Sequence, residues 1–509
     1  MSIMNVRGRQ NLGPGRSAAV WLTVLSFMIG FLLINAIPGN GASIPVVDAK
    51  RLADGAAVKL SNVVVTAAFN GVFYVADSNH NSGIRVVSNA TTYPGQVADI
   101  TGVMSTSPSF ERQIIASSAS FQVYDPPLVS NQEIGGGDYA YDPSNKTGQR
   151  GVPNSDGIPN NVGQLVKTSG TVMMGKPGDQ ADFPIDDGTH CALLVVLLPG
   201  MSNPGYSAKV TVTGISSLQY QAGVTRRAIL VRTPQDLQID AAPPECKYTD
   251  PMVYIPAGES TVGTDEDPND SRTKIWSPKH TIWLDGYWIG KYEVTRAQYR
   301  KFIDAGGYDH QEYWTPEGWW WRLQFRTNKP EFWDNASWNQ TEQHPVVGVS
   351  PFEMDAYCKW AGVRRVSEAE WEKAAGWDPV AQKERTYPWG DMWDPNKCNS
   401  EGNTIWPISN KTAPVGTFPA GASYYGCMDM AGNVFEWCRG YYSADWYNNP
   451  PVIGWINPDG ANRPEYDFYG YQVYRGGSWA SPATSVPTWY RFGQFPYLYN
   501  ADIGFRVAR

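Results

Sequence analysis

Cysteine is scarce in this chain. It supplies six of 509 residues: Cys191, Cys246, Cys358, Cys398, Cys427 and Cys438. That is too few for a disulfide-stapled scaffold, and no pair has the Cys-x-x-Cys spacing of a zinc ribbon. Cys191 lies in the apolar run His190–Leu198 and reads as a small buried hydrophobe. One or two disulfides among the other five stay open, with no pairing readable. Positive charge is also short: 41 Lys and Arg stand against 49 Asp and Glu, a formal net charge of -8. This excludes the clustered basic footprint that nucleic acid requires. What is plentiful is Trp (21), Tyr (28), Gly (50) and Pro (38), the composition of loops pinned by large rings. The length exceeds one core and predicts two or three domains.

Near the N-terminus, Ala18–Ile37 forms an apolar run, preceded by Arg7, Arg9 and Arg16 and followed by the small-residue stretch Pro38–Ser43. Residues 1–43 therefore read as a cleaved signal peptide, or as an uncleaved membrane anchor through residues 18–37. Both readings place the rest of the chain outside the cytoplasm: extracellular, periplasmic or in the cell envelope.

Residues 44–125 and 160–240 read as two all-β domains, joined by a polar linker at 126–159. The first predicts strands at Val58–Ala67, Val72–Asp77, Ile84–Ser88, Val97–Ser105 and Gln113–Val123, punctuated by Gly and Asn. The second repeats it weakly: Phe73-Tyr-Val-Ala-Asp77 matches Phe183-Pro-Ile-Asp-Asp187, and Ile100-Thr-Gly102 matches Val212-Thr-Gly214. Two OB-like barrels fit this pattern, and a β-sandwich of similar strand count would read alike. OB barrels often bind single-stranded nucleic acid, but basic residues are too sparse for that here.

A linker at 241–250 leads into residues 251–509, where the texture becomes α+β. Three helix starts are marked. Thr295-Arg-Ala-Gln298, Ser350-Pro-Phe-Glu353 and Ser367-Glu-Ala-Glu370 are capping boxes, and the helices end near Ala305, Gly362 and Gly376. The remainder predicts short strands and long loops.

Nine motifs follow in this half: Met252-Val-Tyr-Ile-Pro-Ala-Gly258, Asp285-Gly-Tyr-Trp-Ile-Gly-Lys-Tyr-Glu-Val-Thr295, His344-Pro-Val-Val-Gly-Val-Ser350, Ser367–Ala375, Tyr387-Pro-Trp-Gly-Asp391, Ala413-Pro-Val-Gly416, Met428-Asp-Met-Ala-Gly-Asn-Val-Phe-Glu-Trp437, Arg475-Gly-Gly-Ser-Trp479 and Gly504-Phe-Arg506. In this order they resemble the formylglycine-generating enzyme, or sulfatase-modifying factor, family. The resemblance implies a C-type-lectin-like fold. In the family's oxidases two cysteines after the Gly-Gly-Ser turn hold copper, a soft ion that prefers sulfur. Those positions fall on Ser481 and Val486, so the copper ligands are missing. Branches with an iron site use clustered histidines on an added helical domain. This chain has five scattered histidines, which do not match.

The resemblance also implies a calcium ion held by the Asp429 and Glu436 side chains and the Gly432 and Val434 carbonyls, hard oxygen donors suited to Ca²⁺. The plainer alternative is a hydrogen-bonded turn. A second calcium loop near Asn399 is put in doubt by Pro407, where an Asp is expected. Ser478, Trp479, Arg491, Trp319 and Trp320 are candidates for a ligand cleft. The competing reading makes the tryptophans loop-pinning core and has Arg491 and Arg506 brace internal carboxylates. Sequons at Asn89, Asn145, Asn335, Asn339 and Asn410 matter only in a glycosylating host. The expected function is an exported or anchored non-oxidase that binds a peptide, protein or glycan. The alternative is an oxidative enzyme acting on a protein or peptide cysteine.

Overall fold

A computed structural model describes residues 42–509, apart from 70, 78–81, 93–95, 108–110, 124–125, 127, 138, 143–146, 150–157, 190, 222–223, 266–274, 326, 336–340, 405–410, 449–454 and 459–469. The N-terminal leader, Asn145, Asn339, Pro407 and Asn410 lie outside the described residues. Among the described residues no helix is long and apolar enough to cross a membrane.

Apolar alternation builds the first unit. Strands β1 (Ala57–Phe69), β2 (Val72–Ala76), β3 (Gly83–Val87), β4 (Gln96–Thr106) and β5 (Arg112–Val123) close into a barrel in the order β1-β2-β3-β5-β4. Strands β3 and β5 run parallel and the other neighbours antiparallel. The inward set includes Val58, Leu60, Val75, Val86, Ile100 and Ile114. A one-turn helix, α1 (Val46–Ala49), packs on that core, and its Val46 N–H donates to Asp77 at 2.8 Å.

The polar linker that follows carries a two-stranded hairpin, β6 (Tyr139–Asp142) and β7 (Thr147–Gln149). The second unit is a sheet ordered β12-β10-β9-β8-β11-β13, built from β8 (Leu165–Val172), β9 (Phe183–Asp186), β10 (Leu193–Val196), β11 (Lys209–Gln221), β12 (Val224–Leu230) and β13 (Leu237–Ala241). Strand β12 also pairs with β11, which closes β8 to β12 on themselves and leaves β13 as an added strand on β11. The parallel pair is again third with fifth, β10 with β12. The weak repeat lands in register: Phe73 and Phe183 lie on the second strand of each unit, and Gly102 and Gly214 on the fourth. A Cβ at either glycine would run into the facing strand's carbonyl, that of Ile115 or Leu230. The two units meet through Ala67, Leu165 and Ile215, with Thr66 Oγ1 donating to the Gly163 carbonyl at 2.9 Å.

The C-terminal half is α+β with small sheets. Strands β14 (Met252–Ile255), β17 (Tyr287–Gly290), β25 (Val507–Ala508) and β18 (Arg364–Arg365) form one, in that order. β15 (Gly258–Val262) pairs with β16 (His280–Leu284), and β19 (Trp377–Asp378) with β20 (Lys383–Glu384). The fourth is ordered β23 (Arg491–Gln494), β22 (Gln472–Arg475), β21 (Phe435–Tyr441), β24 (Ile503–Phe505). Helices α2 (Arg296–Asp304), α4 (Pro351–Ala361) and α5 (Glu368–Gly376) stand where the capping signals put them. Ser350 and Ser367 make complete boxes. The Thr295 box is only half made. Thr295 accepts from the Gln298 N–H, but the Gln298 amide donates to Thr249 and Asp250 instead.

A fourth helix, α3 (Pro316–Phe325), carries Trp319, Trp320 and Trp321. Its start signal is Thr315, whose hydroxyl accepts from the Gly318 N–H at 3.0 Å, with Pro316 first in the helix. All six cysteines are free, so the disulfides left open by the sequence do not form.

The second unit docks firmly on this half. Arg226 grips Asp285 through two hydrogen bonds of 2.9 and 3.1 Å at a buried contact. Trp288 donates to Asp179 at 2.9 Å while the Lys176 ammonium sits 3.4 Å from its ring centre.

Candidate functional site

At the end of β22 the chain turns sharply through Gly476 and Gly477, with φ of 93° and 75°. Only glycine adopts this backbone cheaply, and a Cβ on Gly477 would strike the Val486 side chain. The turn drives Ser478 inward. Its hydroxyl donates to Asp502 at 3.0 Å, and its N–H donates to Ser481 Oγ at 2.9 Å. Burial pushes the Asp502 carboxyl up, against the pull of the Ser478 hydrogen bond. Trp479 is fastened by its backbone N–H to the Asn433 carbonyl at 3.0 Å. The Ser481 carbonyl accepts from the Glu401 N–H. Val486 is fully buried among Tyr387, Cys398 and Ala431. Ser481 is thus a hydroxyl spent on a turn, and Val486 an isopropyl group in a small core. Cys398 is the one thiol in that core. Its pKa is pushed up to about 12 by burial, and Cys427 and Cys438 belong to a different cluster.

The loop before β21 is equally tight. Asp429, Gly432 and Asn433 all have positive φ, of 57°, 75° and 63°. Asp429 accepts from the Gly416 N–H at 2.6 Å, and burial raises its carboxyl to about 6. Gly432 donates to the Gly476 carbonyl, tying this loop to the Gly-Gly turn. Asn433 accepts from the Ala413 N–H at 2.7 Å and donates to Glu293 at 2.8 Å. The Val434 N–H donates to the same Glu293. Glu436 is fully buried. Arg506 holds both its oxygens at 2.6 Å, and the Trp371 indole N–H donates to one of them at 2.8 Å.

The two side chains that the sequence assigned to a calcium ion have hydrogen bonds of their own: both Glu436 oxygens accept from N–H donors, and one Asp429 oxygen caps the Gly416 amide. Among the described residues no group of three or more His, Cys, Asp or Glu is arranged to hold a metal. Glu293 is the residue the sequence reasoning passed over. It is fully buried, and burial together with Asp429 and Glu436 pushes its carboxyl well up. Its only sequence signal is its place in the Tyr-Glu-Val-Thr motif.

Arg491 does not line a cleft. It is fully buried, pairs with Glu368 at 2.6 and 2.8 Å, and donates to the Ser443 and Ile275 carbonyls. Arg475 shares Glu368 and also pairs with Glu372. These arginines brace carboxylates, the reading the sequence left beside the ligand one. Of the tryptophans, Trp321 is fully buried and Trp319 packs between Trp314 and the Arg322 guanidinium. Trp320 is 49% exposed, on the same solvent-facing stretch as Leu323 and Phe325.

The model of the family described as sulfatase-modifying factor enzyme 1-like domain matches residues 238–509. The hercynine oxygenase of Mycolicibacterium smegmatis is 36% identical over 273 residues, covering 50% of this chain and 60% of the relative. The formylglycine-generating enzyme of Thermomonospora curvata is 33% identical over 243 residues, covering 41% and 77%. The serine/threonine-protein kinase Pkn1 of Chlamydia trachomatis is 31% identical over 263 residues, covering 51% and 38%. The solved structure of PvdO from Pseudomonas aeruginosa matches with 23% identity over 52% of this chain and 95% of that one, at a TM-score of 0.40. The chain spans between 52% and 60% of the length of the hercynine oxygenases it matches.

Proposed function

Because this chain belongs to the sulfatase-modifying factor family through residues 238–509, we propose that it is a member without copper oxidase chemistry, an exported or membrane-anchored protein whose C-terminal domain binds a peptide, protein or glycan through a lectin-like cleft. The observation that carries the reading is the state of the two copper positions. Ser481 is bonded into the Gly-Gly-Ser turn and Val486 is packed beneath it, so neither position offers a soft donor. The exposed Trp320 beside half-buried Trp319 supplies the aromatic surface on which such a ligand would rest. The shared strand order of the two N-terminal units supports reading both as OB-like barrels that serve as spacer or second binding module.

One observation favours a second reading, an oxidative enzyme: the 36% identity to a hercynine oxygenase. The deciding experiment titrates the full chain with copper(I) and follows oxygen uptake with a cysteine-containing peptide. A thiolate-to-copper band together with oxygen uptake refutes the binding reading. Silence in both, with retention on peptide or glycan arrays that Trp320→Ala abolishes, supports it.

A further inference from the structure

A groove of about 910 Å³ opens on the second β unit, at the upper end of the about 300–1,000 Å³ of ordinary ligand sites. Its floor is β8 and the start of β11. One wall is the Asp186–Gly188 turn, and Arg439 of β21 reaches in from the C-terminal half. The groove lies away from the Gly-Gly-Ser turn, and none of the nine family motifs contributes to its lining.

Its chemistry narrows the occupant. Asp186, Asp187 and Asp240 line it beside Lys209 and Arg439, so a wholly apolar ligand would strand charges. Three carboxylates repel a polyphosphate chain. A peptide adding itself as a strand needs a free sheet edge. Beside β8 that edge is already covered: Leu128 bridges Lys167 in parallel, and the Val129 N–H donates to the Lys167 carbonyl at 2.8 Å. What remains is a set of hydroxyls and carboxylates held in place. Ser169 and Thr211 share a hydrogen bond of 2.8 Å, Thr211 donates to Asp240 at 2.7 Å, and Gln238 donates to the other Asp240 oxygen. Such ordered acceptors and hydroxyls, beside exposed Leu128 and half-buried Met173 and Tyr206, match a ring that is polar at its edge and apolar on its faces.

We propose that this groove binds a neutral oligosaccharide. The inference stands apart from the reading of the C-terminal domain, since it uses a different surface and holds whether or not that domain is redox-silent. Lys209 is exposed at the groove and donates to ring hydroxyls. Thr171, half-buried on β8, sits where a larger side chain would fill the space.

The test is calorimetric titration of the full chain with neutral β-1,4- and α-1,4-linked glucose and N-acetylglucosamine hexamers, and with a uronate hexamer as a charged counterpart. Expected is binding of at least one neutral hexamer, weakened tenfold or more by Lys209→Ala and abolished by Thr171→Trp. Val380→Ala, at an exposed position outside the groove, should leave it unchanged. The circular dichroism of Lys209→Ala, an exposed substitution, reports that the fold is intact. Three results overturn the proposal: no neutral hexamer binding at millimolar concentration, binding indifferent to Lys209→Ala and Thr171→Trp, or uronate binding as tightly as the neutral sugars. Binding lost on Trp320→Ala but not on the groove variants would assign the sugar to the C-terminal domain and also refute it.

Discussion

The Arg506 guanidinium holds the Glu436 carboxylate through two hydrogen bonds of 2.6 Å, with both side chains fully buried. The same arginine donates to the carbonyls of Gly290, Lys291 and Met428, so one side chain ties together β17, the 428–436 loop and β21. The two hydrogen bonds offset part of the hydration that burial removes from the pair. The pairing with Glu436 holds Arg506 above its ordinary value despite burial.

Glu436→Gln should therefore cost about 3–5 kcal/mol, the usual penalty for leaving a buried charge without its partner. Thermal melting followed by circular dichroism measures it. Because both Glu436 oxygens and one Asp429 oxygen are already hydrogen-bonded, a chelator should move the melting temperature of neither the parent nor the variant. A chelator-sensitive parent would restore the calcium reading.

Acidity acts on stability in two directions. Burial raises Glu353 from 4.5 to about 7 and Asp429 from 3.8 to about 6. A carboxyl raised by folding binds its proton more tightly when folded, so its contribution is complete below the unfolded pKa and is lost as pH climbs through the folded one. Glu370 behaves oppositely. Burial opposes its charge, but Arg364 wins and lowers it from 4.5 to about 2, so its contribution is lost as pH falls through that window. Denaturant midpoints should decline from about pH 4 towards 7, and again below about 4. Glu353→Gln should flatten the upper limb, and an unchanged slope would show that Glu353 does not titrate there.

The buried Arg226–Asp285 pair fastens the second β unit to the C-terminal half. Burial pushes the Asp285 carboxyl up, but Arg226 outweighs it and holds the carboxyl below its usual range. Arg226→Ala should cost about 3–5 kcal/mol and loosen the joint. Limited proteolysis should then cut the 241–250 segment faster than in the parent, and equal cleavage rates would show that the pair does not hold the two halves together.

Gly102→Ala and Gly214→Ala place a Cβ against the Ile115 and Leu230 carbonyls at equivalent strands of the two N-terminal units. Each should cost about 1–3 kcal/mol by overpacking, read from urea unfolding. Similar penalties at both sites would support common construction of the two units, whereas one silent site would break the equivalence.

Local signals carried far in the first 240 residues. Strand ends at Val58, Val72, Ile84, Val97 and Gln113 were readable to within a residue or two, because alternation and Gly or Asn breaks are local features. Helix α3 escaped because three consecutive tryptophans mask the 3.6-residue period that marks one buried face. The half-made cap at Thr295 shows the same limit. Whether Gln298 turns back to its own helix or out to Thr249 and Asp250 depends on the approach of the segment before β14, 48 residues away.

By itself the sequence determined the order of the parts, the helix starts and the paired β units, since each is a property of neighbouring residues. Tertiary structure alone decided what the charged residues do. Glu293 meets Asn433 across 140 positions, and Arg491 meets Glu368 across 123. A carboxylate or guanidinium reads the same in a sequence whether it awaits a ligand or a partner. Desolvation on folding selects between the two, because a buried charge is tolerated only where another chain segment arrives to neutralise it.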